Sequence, residues 1–187
     1  MTARVRKLAV FFMGGAIVGG AVAALVAFTV ASARTTAFAD GIIALLDERC
    51  WPYVIDGTPV NVGDDLREIP SLRRGGQTWL HADTSATLTV AQVGGFPSCE
   101  IGPGNYNWNA GSVDQIWAAL RIDVNQYLSP EGSPEISELD VSPGRHWLAR
   151  TNANPSLFVI WGEGNREETF VFANITVGRA QFPEEPS

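Results

Sequence analysis

Residues Leu8 to Ala33 form an uncharged apolar stretch, preceded by Arg4, Arg6 and Lys7. A helix over this stretch would be ~39 Å long, more than the ~30 Å of a bilayer's hydrocarbon core. The sequence therefore predicts a cytoplasmic basic segment at 1–7 and a transmembrane signal-anchor at 8–33. Three basic residues lie before the span and only Arg34 directly after it, which orients the N-terminus toward the cytoplasm. The remainder is then expected in the periplasm, held to a bacterial inner membrane as a single-pass protein. A cleaved signal peptide is the alternative. Ala31-Ser32-Ala33 and Ala37-Phe38-Ala39 have the small-x-small form that a signal peptidase reads, and cleavage near Ala33 or Ala39 would release a secreted or soluble periplasmic domain. Within the span, Gly15, Gly19 and Ala23 recur at every fourth position, a spacing that lets two helices approach closely and makes self-association a candidate partnership.

The length after the span suits one exported domain over 34–180, with a tail at 181–187 whose prolines and glutamates predict disorder. All 20 acidic residues lie after Ala33, and Lys7 is the sole lysine. So acidic a domain is a poor partner for nucleic acid, whose binding needs a basic surface. The two cysteines, Cys50 and Cys99, are expected to form one disulfide in an oxidising compartment, tying the first helix to a central strand. Neither occupies a lipobox-like context, and no C-x-x-C suggests redox chemistry.

Along the domain, a possible cap at Asp40 precedes an amphipathic helix through Ile42, Leu45 and Leu46, expected to stop at Cys50-Trp51-Pro52. Asp64 to Glu68 offers at most a helical turn. Strands are predicted at Trp79–His81 and at Thr87–Val93, the second ended by Gly94-Gly95 and Pro97. Ser112 and Gln115 form a capping-box signature ahead of a helix with Val113, Ile116, Trp117, Leu120 and Val124 on its buried face. After a Pro- and acid-rich connection, strands are expected at His146–Arg150, Leu157–Trp161 and Thr169–Val177, the middle one unrelievedly apolar and therefore central. Short turns between these strands argue against helical crossovers. The expected fold is α+β: an antiparallel sheet of about five strands, covered on one face by two helices.

Chemistry is scarce. Neither histidine belongs to a zinc-ligand spacing, so no metal and no cofactor are expected. The nucleophile elbow, the phosphate loop and the dinucleotide fingerprint are missing. His81 and Asp83, two apart on a predicted strand, form the one weighable imidazole–carboxylate pair. Glu163, Glu167 and Glu168 flank one loop without the ligand spacing of a calcium site. The least ordinary stretch is Asn105, Tyr106, Asn107, Trp108 and Asn109, where aromatics alternate with amides between glycines. Such side chains stack on a sugar ring or anchor a protein interface. Trp117, Trp147 and Trp161 are read as core. The pattern favours a non-enzymatic interaction protein beside the membrane. The alternatives are a soluble periplasmic module binding a glycan or small ligand through the 105–109 loop, and an enzyme of unfamiliar type built on carboxylates or His81.

Overall fold

A computed structural model describes residues 36–71, 73–102, 110–129, 135–139, 145–163 and 173–182. The expected span at 8–33, including Gly15, Gly19 and Ala23, lies outside them; among the described residues no helix is long and apolar enough to cross a membrane. The described residues after Ala37 form one compact unit.

The fold is α+β, with eight strands rather than five. Helix α1 (36–45) runs without a break into a π-helical turn, Leu46–Cys50, and then into α2, Trp51–Asp56. The predicted stop at Pro52 does not occur. Pro52 falls in the first turn of α2, where its missing N–H is tolerated, and the widened turn just before it keeps the chain helical. The helix ends instead at Gly57, whose φ of 68° is the left-handed conformation that closes helices. Asp40 is consequently inside a helix and not at its start.

The strands are β1 (Leu66–Ile69), β2 (Gln77–His81), β3 (Thr87–Val93), β4 (Phe96–Gly102), β5 (Glu135–Leu139), β6 (Arg145–Arg150), β7 (Ser156–Glu163) and β8 (Ala173–Ala180). Their order is β1-β2-β3-β4-β8-β7-β6-β5, every neighbour antiparallel. Two four-strand meanders are thus joined along β4 and β8, and helix α3 (Ala110–Asp123), prolonged by a second π turn at Val124–Leu128, connects them in sequence.

Three strands differ from expectation. Asp64 to Glu68 gives no helical turn, because Leu66–Ile69 pairs with β2 as an edge strand. Gly94-Gly95 reverses the chain rather than merely ending it. Both have positive φ, 62° and 86°, the conformation a two-residue hairpin turn requires. The return strand β4 tolerates Pro97 because that residue pairs with Gln92 beside the turn, outside the ladder that begins at Ser98 with β8. The Pro- and acid-rich connection contributes β5.

Alternation decides what is buried. Register aligns Trp79, Leu88, Ile101, Ile175, Trp161 and Trp147 in one row across six strands, with Val90, Cys99, Val177, Val159, Ala149 and Ile136 in the next. Both rows face the helices, which cover them with Ile42, Leu46, Val54, Val113, Ile116 and Leu120. The other face carries the polar row Thr78, Thr89, Glu100 and Thr176. One covered face and one polar face give β3 its period-two patterning, while β7 is buried on both faces.

Cys50, in the first π turn, is bonded to Cys99 in β4, and both are fully buried. Of the tail expected to be disordered, Gln181 and Phe182 are among the described residues. Phe182 packs edge-on to Phe158 at 5.8 Å and lies under the Arg150 guanidinium at 5.2 Å.

A tryptophan-lined cleft as the candidate functional site

Helix α3 does not lie flat on β5–β7. Trp117, Arg121, Val124 and Asn125 recur at helical spacing as one stripe, and the gap between this stripe and Ile136, Trp147, Ala149, Val159 and Trp161 is a cleft of about 330 Å³. The spacing is set by aromatic bulk. Trp117 stacks on Trp147 with centroids 4.9 Å apart and lies 5.5 Å from Trp161. These rings hold the helix off the sheet at one end, while the small Ala149 and Val159 leave room farther along. Trp117 and Trp147 are therefore half-buried walls and not closed core; Trp161 alone of the three is fully buried.

The cleft is apolar with a few donors, the composition of a small-molecule or side-chain pocket. Arg121 is exposed. Among the described residues no carboxylate pairs with it. Asn125 adds an amide. Trp161, 1% exposed, lines the cleft, and its Nε1–H has no hydrogen-bond partner among the described residues. A buried donor left so costs on the order of 1–3 kcal/mol. No carboxylate, imidazole or thiol lines the cleft, so what it offers is apolar contact and hydrogen-bond donation.

Behind the cleft, α3 carries a second polar feature. Asp123 is buried, accepts a 3.4 Å hydrogen bond from Trp51 Nε1, and faces Asp47 of the first π turn. Burial, reinforced by the Asp47 charge, pushes the Asp123 carboxyl up from 3.8 to about 6. Asp47 is raised as well, chiefly by burial. Burial first, then Asp47, Asp123 and Asp56, also raises Tyr127, whose ring stacks on Trp51 at 4.5 Å. Because Asp123 holds its proton more tightly folded than unfolded, its contribution is complete below about pH 4 and is lost as pH rises through about 6. A two-unit shift corresponds to about 3 kcal/mol, and solvent around Asp47 brings the expectation to roughly 1–2 kcal/mol. Asp123→Asn keeps an acceptor for Trp51 and removes the charge, so it should raise stability at pH 7 by that amount and leave it unchanged at pH 4. Urea titrations at the two pH values measure it; equal effects at both would refute the assignment.

His81 and Asp83 are not brought together as a pair. The strand ends at His81, and Asp83 sits exposed in the following turn. His81 Nδ1 accepts from the Thr84 backbone N–H at 3.3 Å and lies 2.8 Å from its hydroxyl, which leaves the ring proton on Nε2, 3.7 Å from Asp65 Oδ2. Asp65 also faces Arg49 at 3.6 Å. This buried histidine braces a turn. The Ser112–Gln115 capping box is not formed either: α3 begins two residues earlier, at Ala110, and Gln115 Nε2 donates to Asp40 Oδ1 at 3.1 Å, tying α3 to α1. Glu163 is buried in β7; Glu167 and Glu168 lie outside the described residues, as do Asn105, Tyr106, Asn107, Trp108 and Asn109. No group of three or more potential metal ligands occurs among the described residues.

The sequence reading assigned none of Arg121, Asn125, Ile136, Ala149 and Val159 to a site, and it placed Val124 on the buried face of its helix without a role in a cleft. A signal was present: a tryptophan and an arginine four apart on one helical stripe place a cation beside an aromatic wall. No protein-family model matches the chain, and no curated protein or solved structure matches it either.

Proposed function

We propose that this chain is a non-catalytic binding domain displayed on the outer side of a membrane by residues 8–33, with the cleft between α3 and β5–β7 receiving an apolar group that bears a hydrogen-bond acceptor. The observation that carries this reading is the cleft itself: three tryptophans, an exposed guanidinium, and a buried indole N–H lacking an acceptor among the described residues. The membrane placement rests on the basic start and the apolar stretch. The intact mass of protein from its native envelope tests it, since a mass beginning near Arg34 or Asp40 would make the domain freely diffusing.

The cleft is tested with 8-anilinonaphthalene-1-sulfonate, an aromatic amine with one anionic group. Saturable binding with energy transfer from tryptophan is expected. Arg121→Ala should weaken it about three- to tenfold, the range for an exposed charge-assisted hydrogen bond, and Trp117→Ala should abolish saturation. Binding unaffected by both substitutions, in variants that melt as cooperatively as the parent, would remove the cleft from the account.

A further inference from the structure

The cleft reaches the rim of the sheet. β5 is the last strand in the order, and among the described residues it pairs only with β6, so one side of its backbone is an unpaired edge. Ile136 stands on that strand in register with Ala149 and Val159, which line the cleft beside it, and it is 54% exposed. Unpaired strand edges recruit other strands unless something blocks them. Here the recruiting edge and an apolar pocket are adjacent, and the pocket lies on the side toward which alternate residues of an added strand would point.

We propose that the β5 edge and the cleft together bind an extended polypeptide segment, which joins the sheet as a ninth strand, lays one aromatic side chain against Trp117 and Trp147, and sets an acidic side chain two residues along against Arg121. This rests on the binding reading above and names its partner. The charge choice follows from Arg121, which lines the cleft as an exposed cation free of ion pairing among the described residues. Residues two apart on an extended strand share a face ~7 Å apart, within the reach of a long guanidinium side chain. Backbone pairing supplies affinity and the two side chains supply selectivity.

The probe is the capped peptide Ac-Thr-Val-Phe-Thr-Asp-NH2, which contains no tryptophan, so any tryptophan signal belongs to the protein. It should displace the anilinonaphthalene dye with a Kd below about 1 mM. Replacing its Asp by Asn should weaken binding at least threefold to the parent protein and not at all to Arg121→Ala. Two further peptides carry N-methyl groups on alternate amides, one set on the odd positions and one on the even. Only one set of amides can face β5, so one peptide should lose binding at least tenfold and the other should retain it. Equal binding by both methylated peptides would overturn the strand pairing. Dye binding without peptide binding would overturn the inference and leave the cleft as a small-ligand site. Failure of both probes would remove the binding reading as well.

Discussion

Replacing Cys50 and Cys99 together by serine should lower stability by about 4 kcal/mol, the chain-entropy value for releasing a loop of this length. The position of the bond makes the loss consequential. Cys50 sits where the helical chain widens into a π turn, and Cys99 sits in β4, paired on both sides by β3 and β8. The crosslink therefore clamps the first helical run to the middle of the sheet. Urea unfolding of the double variant, beside the parent with and without reductant, measures it. A loss below about 1 kcal/mol would mean that packing between Leu46, Trp51 and the sheet already holds the helix in place.

Ile175→Ala should cost about 3–4 kcal/mol, within the range for truncating a buried branched side chain that leaves a cavity. Ile175 is 1% exposed and lies between Ile101 and Trp161 in the row that crosses the sheet. Aromatic and β-branched neighbours locked by strand register have little room to collapse into the space. The matching control is Ile136→Ala on β5, which should cost less than about 0.5 kcal/mol because that side chain is 54% exposed. Chemical denaturation of the two variants side by side decides the matter. Similar losses would show that the β5 rim is as tightly packed as the centre and that the cleft is not a compliant opening.

The parts legible in the sequence are those that local pattern dictates. The apolar stretch Leu157–Trp161 announced a strand buried on both faces, and β7 is such a strand, paired with β6 and β8. The pairing of Cys50 with Cys99 followed from having just two cysteines in a domain expected to be exported. The three unrecognised strands share a physical cause. Leu66–Ile69 has charged Arg67 and Glu68 at its middle, β4 contains a proline near its start, and β5 lies among prolines and acids; each is stabilised by its partner strand and not by its own propensity. The cleft was hidden for a related reason. A tryptophan on an amphipathic helix reads as core, and only the three-dimensional stacking of Trp117 against Trp147 shows it propping the helix away from the sheet.

The joining of two meanders along β4 and β8 sets an order of events. Every other neighbouring pair of strands is consecutive in the sequence and can zip as a hairpin as soon as its turn forms. The remaining pair brings Glu100 against Thr176 and Ile101 against Ile175, which wait for nearly the whole polypeptide to emerge. Until then each half presents a naked apolar border at what will become the molecule's middle. For a chain synthesised N-terminus first, the last strand delivered is the one that shuts the sheet.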